Sequence, residues 1–169
     1  MPGTNAPRLR ADDMTTLSFN GCTHTLTLLS ADGSVLGIWT AYNNVDHRAT
    51  LKHLENGTYQ ILDKSTPHLH PGDNAEGAYG SWGIIRFSYP GHPGVGVHSG
   101  RAHARRKPGP EHPTMGCIRT TDDAMKRIKE SMAKSSLSTI TISNNSGCAA
   151  ISATQKYKHI YIPPGMSLI

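Results

Sequence analysis

Three cysteines in 169 residues are too few for a disulfide framework, and no two stand at the C-x₂₋₄-C spacing of a structural zinc site. Long hydrophobic runs are missing as well. Nothing approaches the ~18–20 consecutive apolar residues of a membrane span, so no span is expected. The opening MPGTNAPRLRADDMTTLSFN has no apolar h-region, and a Sec-type signal is not expected either. Cys148-Ala149-Ala150-Ile151 has the form of a prenylation box, but the 18 residues that follow it rule the modification out. There is no internal repeat. What remains is ordinary globular composition: with glycine counted, apolar residues make up a little under half of the chain, enough for one core at this length. Net charge per residue is too low for intrinsic disorder.

Seventeen Lys and Arg face twelve Asp and Glu, a formal charge of +5. Four of those bases, Arg101, Arg105, Arg106 and Lys107, fall in the acid-free stretch RAHARRK, and elsewhere thirteen bases face twelve acids. The chain therefore lacks the sequence-wide basic surface of a nucleic-acid binder, and the stretch has no interleaved aromatics. No nucleic-acid partner is expected.

Residues 1–14, rich in Pro, Gly, Asn, Arg and Asp, read as a flexible arm. A catalytic domain is expected over 15–144, followed by a tail over 145–169 whose Ile160-Tyr161-Ile162 would dock as a late strand or stay free. Thr25–Leu28 alternates with period two, Asp32-Gly33 signals a turn, and Val35–Trp39 resumes the apolar pattern, which predicts a β-hairpin. Further strands are expected at Thr58–Leu62, Trp82–Tyr89, Gly94–His98 and Ser138–Ser143. Met125, Ile128 and Met132 recur at helical spacing, with Thr120 or Thr121 as the cap and Asp122 and Asp123 in the first turn. The fold class is mainly β: one domain, a sandwich or partly closed barrel, with one helix after Cys117. Trp39 and Trp82 read as core or groove-lining aromatics.

The chemistry centres on Thr114-Met115-Gly116-Cys117-Ile118-Arg119. Read as lying within one turn of the helix N-terminus, Cys117 would sit in positive potential that favours thiolate. Gly116 permits close backbone approach, and neighbouring N–H groups would receive an oxyanion. Nineteen residues upstream, Val97-His98-Ser99-Gly100 puts a histidine at the end of a short strand. A thiol and an imidazole on fixed elements are the minimum for covalent acyl transfer.

This pair, VHSG followed by TMGCIR, resembles the signature of the L,D-transpeptidase (YkuD-type) catalytic domain: a histidine, a small residue, then Ser or Thr, any residue, Gly-Cys and often Ile-Arg. The likeness is specific from His98 to Arg119 and softer over about 17–144. It implies Cys117 as nucleophile, His98 as base, the Ser99 carbonyl orienting the imidazole, and the Gly116 and Cys117 N–H groups as the oxyanion hole. Thr114 and Arg119 are expected at the substrate, with Arg119 holding either substrate or loop, and Arg101, Arg105 and Arg106 are expected to recruit stem-peptide carboxylates and, with Lys107, to help keep the thiol pKa down. The substrate implied is the peptidoglycan tetrapeptide stem, attacked after the L-centre of its third residue through a thioester, with outcomes of transpeptidation, D-amino-acid exchange or L,D-carboxypeptidase trimming. Met115 stands where many members carry a second histidine, so assistance from that group is not expected.

A compact catalytic unit without a Sec-type signal also resembles L,D-transpeptidase-like toxins of type VI secretion. That implies export by a dedicated system, action in the periplasm of a target bacterium, and a neutralising immunity protein. His112 and His103 are rival bases on less rigid loop. His68 and His70 with Asp73 have the donors of a metal site, yet Pro67–Asp73 reads as an exposed turn, so no metal and no cofactor is expected. Cys22 and Cys148 are expected as inert thiols, pairing only if the working compartment is oxidising. A peptidoglycan-binding module without turnover is the alternative function.

Overall fold

The structure, a computed structural model, describes residues 14–148. Nearly all of the expected arm, and the proposed late strand Ile160-Tyr161-Ile162, lie outside the described residues. The chain order is β1 (Thr15–Asn20), β2 (Thr25–Leu29), β3 (Val35–Tyr42), β4 (Gly57–Gln60), β5 (Ile85–Arg86), β6 (Gly96–His98), β7 (Ile118–Thr120), α1 (Asp122–Met132) and β8 (Leu137–Ser143). Period-two alternation drives the long strands: β1 buries Leu17 and Phe19, β2 buries Leu26 and Leu28, and β8 buries Ile140 and Ile142.

All eight strands form one sheet in the order β4-β8-β1-β2-β3-β7-β6-β5. It curls until its edges meet, where Leu62 N–H donates to Arg86 O and Ser88 N–H to Gln60 O, each at 2.8 Å, around an isolated Ile61–Phe87 bridge. Helix α1 lays Met125, Ile128 and Met132 against the enclosed core. Its cap is Thr121, whose hydroxyl accepts from Ala124 N–H at 3.0 Å. Trp39 and Trp82 are partly buried against the core, and Lys129 Nζ lies 5.4 Å over the Trp82 ring.

The expected hairpin forms as β2–β3, with Gly33 at φ 89° in its turn. Other boundaries differ. The run Trp82–Tyr89 supplies only the two residues of β5, because Ile84, Phe87 and Tyr89 make isolated bridges to three separate partners. No strand is expected from the sequence between Cys117 and the helix cap, yet Ile118 to Thr120 form β7, laddered and buried. Cys22 and Cys148, expected as thiols, are joined by a disulfide with Cα atoms 4.7 Å apart, across 126 residues of sequence. Chain reversal in the β1–β2 turn and after β8 brings them together, since β1 and β8 are parallel neighbours that end side by side at Asn20 and Ser143.

A cross-link over so long a loop restricts the unfolded chain and contributes on the order of 2–5 kcal/mol. The Cys22→Ser/Cys148→Ser variant is therefore expected to lose that much stability in urea unfolding; an unchanged midpoint would mean that the bond adds nothing to the fold.

Candidate active site

Strands β6 and β7 run parallel, with Val97 opposite Ile118 and His98 opposite Arg119. The pleat sends Val97 and Ile118 into the core, both 0 % exposed. The other face of the pair takes His98, Arg119 and, one step before β7, Cys117. Cys117 comes level with Gly96, where a Cβ would stand 2.4 Å from the Ile85 carbonyl, so only glycine fits beside the thiol. His98 and Cys117 line one cleft of about 270 Å³ together with Tyr79, Arg101, His112, Thr114, Met115 and Arg119.

His98 is 3 % exposed and its Nδ1 lies 2.7 Å from Ser99 O. A carbonyl only accepts, so Nδ1 carries the proton and Nε2 keeps its lone pair. Burial is the main cause that pulls the imidazole pKa down to about 4; the Ser99 bond opposes it, and Arg119 and His70 add to it. The Ser99 hydroxyl donates to Asp122, which also accepts from Ser81 Oγ at 2.8 Å. The first residue of α1 thereby ties the loop behind His98. The Tyr79 ring meets the imidazole edge to face at 5.0 Å and stacks on His70 at 4.4 Å.

Cys117 is not at a helix N-terminus. β7 and the cap residue Thr121 intervene, and burial pushes the thiol pKa up, opposed by a hydrogen bond from the Gly96 backbone and by the Arg119 charge. The resting pair is therefore a neutral thiol beside a neutral imidazole. In the turn before Cys117, Thr114 Oγ1 accepts from Gly116 N–H at 3.1 Å and donates to Cys117 O at 2.7 Å. The Gly116 N–H, expected to receive an oxyanion, is thus engaged, and Thr114 both shapes the turn and lines the cleft. Gly116 has φ 136°, and a Cβ there would meet Leu51 Cδ2 at 2.4 Å.

Arg119 is 3 % exposed and, of the two roles expected for it, the bonds it makes are those of a clamp on the loops, while it also lines the cleft. Its Nη1 donates to His112 O at 2.6 Å and Pro113 O at 3.1 Å, its Nη2 to Ala78 O at 2.9 Å, and its Nε to Ser99 O at 3.5 Å. Burial, then the nearby Arg101, lower its pKa to about 10, while Cys117 raises it. Of the basic stretch Arg101 lines the cleft, and Arg105, Arg106 and Lys107 are exposed and do not line it. His103, a rival base, pairs with Glu76 at 2.6 Å away from the cleft, whereas His112 lies on the cleft wall with Nδ1 3.3 Å from Arg106 O. His68 and His70 touch edge to face at 5.2 Å, and no cluster of three metal-ligating side chains occurs among the described residues.

Sequence reasoning missed Tyr79 and Asn43. Asn43 is 3 % exposed, and its Nδ2 donates to Gly116 O at 2.9 Å and Cys117 O at 3.1 Å. Neither residue lies in the motif, and nothing in their own neighbourhood of the sequence signals a role.

No protein-family model and no curated protein matches the chain. Solved structures do. The helical cell shape determining protein Pgp2 from Campylobacter jejuni aligns with a TM-score of 0.54 at 15% identity, over 76% of this chain and 47% of that one. The L,D-transpeptidase from Mycobacterium smegmatis gives 0.49 at 20%, over 76% and 58%. The L,D-transpeptidase (Yku) from Stackebrandtia nassauensis gives 0.48 at 16%, over 80% and 57%. The chain thus spans less than two thirds of the length of these neighbours. At such identities the likeness is one of fold, and the Pgp2 alignment carries it. The mainly β fold with one helix expected from the sequence is the fold observed.

The buried imidazole makes stability depend on pH. Its folded pKa of about 4 lies below the 6.5 of a free imidazole, so between those values the unfolded chain binds the extra proton. Stability from a neutral His98 is complete above about pH 6.5 and is lost as pH falls toward 4. Urea unfolding at pH 7 and pH 4.5 is expected to show a loss larger by roughly 2–3 kcal/mol in the unaltered protein than in His98→Gln. Equal losses would show that the imidazole is not held neutral.

Proposed function

We propose that the chain is a cysteine acyltransferase of the L,D-transpeptidase type, acting on peptidoglycan stem peptides. The observation that carries this reading is the convergence of Cys117 and His98 from adjacent parallel strands on one cleft, with His98 Nδ1 held by Ser99 O. The motif resemblance from His98 to Arg119 supports it, as does the fold shared with Pgp2.

The chemistry follows from the protonation states. Nε2 of His98 takes the Sγ proton as sulfur attacks the carbonyl carbon after the L-centre of the third stem residue. The tetrahedral oxyanion forms beside the Cys117 N–H. Its collapse breaks the bond to the following D-residue, and the leaving amine takes the proton back from Nε2. An acceptor amine resolves the thioester in transpeptidation or D-amino-acid exchange, and water resolves it in carboxypeptidase trimming; either gives its proton to Nε2. Arg101 is the cleft-lining cation suited to a stem carboxylate.

Mass analysis of muropeptides after incubation with purified sacculi tests the reading. Cys117→Ala is expected to lose conversion by about 10³-fold or more while still binding sacculi. If the unaltered protein binds sacculi and converts nothing, the binding-module reading replaces the enzyme.

The Cys22–Cys148 bond fits work in an oxidising compartment. We extend the proposal to an antibacterial effector that reaches the periplasm of a target bacterium through a dedicated secretion system and is neutralised at home by an immunity protein. Expression directed to a bacterial periplasm is expected to be toxic through Cys117, and cytoplasmic expression harmless. The opposite pattern would remove the cell wall as target.

A further inference from the structure

Asn43 follows β3 directly, and both polar atoms of its side chain are in use. Nδ2 donates to the Gly116 and Cys117 carbonyls. Oδ1 accepts from Leu54 N–H at 2.8 Å and from Asn145 Nδ2 at 2.9 Å. Asn145 spends its other amide hydrogen on Leu54 O at 2.7 Å and donates its backbone N–H to Asn56 Oδ1 at 3.0 Å. Three residues on, Cys148 is bonded to Cys22. A continuous series of bonds thus runs from the tied ends of the sheet to the nucleophile turn. The amide orientation of Asn43 is unambiguous, because carbonyls surround one side and N–H donors the other.

The Gly116 carbonyl and the Cys117 N–H belong to the same planar peptide group. A donor on that oxygen draws density from the N–H and fixes the plane in which it points. The Gly116 N–H is taken by Thr114 Oγ1, and the Cys117 N–H is the backbone donor on the nucleophile's own residue. We infer that Asn43 is a positioning residue of the acyl-transfer site, acting through the Gly116–Cys117 peptide, and that Asn145 fixes its orientation from the disulfide-tied turn. The inference rests on the acyl-transfer reading above, though not on the identity of the substrate.

Only an amide suits the position. Aspartate keeps the acceptor for Leu54 and Asn145 but turns an anionic oxygen toward two carbonyls. Removing a direct oxyanion donor costs ~10²–10³-fold in rate; a group acting through one peptide is expected to cost about tenfold, in turnover and not in binding.

The test uses p-nitrophenyl acetate carrying a ¹³C-labelled carbonyl. Cys117 Sγ displaces p-nitrophenolate, whose release gives the rate, and the infrared carbonyl band of the resulting thioester reports the hydrogen bond to its oxygen. Asn43→Asp is expected to lower the acylation kcat about tenfold with KM nearly unchanged, and to move the thioester band up toward that of a free thioester. Asn145→Ala is expected to shift both readouts the same way by less, and it carries the test should Asn43→Asp not fold. Wild-type rate and band position in the folded variants would overturn the inference while leaving acyl transfer standing. If the folded wild-type protein forms no thioester at all, the acyl-transfer reading fails, and the inference fails with it.

Discussion

The cleft depends on one buried guanidinium. Arg119 draws the carbonyls of Ala78, Ser99, His112 and Pro113 onto a single planar group, so three separate loops are fixed relative to β6 and β7. Among the described residues no carboxylate pairs with it, and its charge is met by carbonyl dipoles alone. That arrangement leaves positive potential unspent. A group able to use it is the thiol two residues earlier on the same face of the strand, and each charge favours the other: the cation lowers the thiol pKa, and a thiolate would raise that of the arginine. Lysine has one cationic nitrogen and could not span the same four oxygens.

Against that pull stands burial, which dominates both members of the reacting pair. It raises the thiol and lowers the imidazole, so the uncharged pair is the resting form near neutral pH. On the proposed acyl-transfer reading, proton transfer then belongs to the attack itself. A general-base route of this kind needs Nε2 to be unprotonated and correctly aimed, and the Ser99 carbonyl secures both by holding the proton on Nδ1. Asp122 supports that carbonyl from behind through the Ser99 hydroxyl. The acid that sequence reasoning assigned to the helix dipole thus acts as a brace for the loop behind the imidazole.

Much of this was legible in the sequence, and the boundary is physical. Cys117 and His98 were readable because their chemistry is rare and their spacing fits a strand–loop–strand path. The helix was readable from Met125, Ile128 and Met132. β7 was not, because three buried residues between a turn and a helix cap carry no period. Its omission led to the error about Cys117, whose thiol was given a helix dipole it does not feel. The charge of the 101–107 stretch was legible, but not how it divides: Arg101, held at φ 56°, lines the cleft, while Arg105, Arg106 and Lys107 are exposed and do not line it. Asn43 and Asn145 were invisible for a different reason. Each acts through partners about 70 to 100 residues away, and local pattern contains nothing of that.

Those distances also explain why the site and the fold are completed together. The cleft and its supports take residues from the ends of β3, β6 and β8, from the start of β7, and from the loop at Ala78–Gly80. The strands β3, β7 and β6 are direct neighbours in the sheet, but the end of β8 lies on the far side of β1 and β2 and reaches the end of β3 through the curl of the sheet. Parallel pairing of β6 with β7 brings thiol and imidazole to one face, but the turn carrying Cys117 is fixed only when Asn43 has found both its carbonyls and Asn145. Because Asn145 lies between the last laddered residue, Ser143, and the disulfide at Cys148, the constraint on the nucleophile turn reaches back to the closure of the chain. A partly assembled sheet would hold a histidine and a cysteine, yet it would lack the fixed Gly116–Cys117 peptide and the buried cation that the proposed acyl transfer calls for.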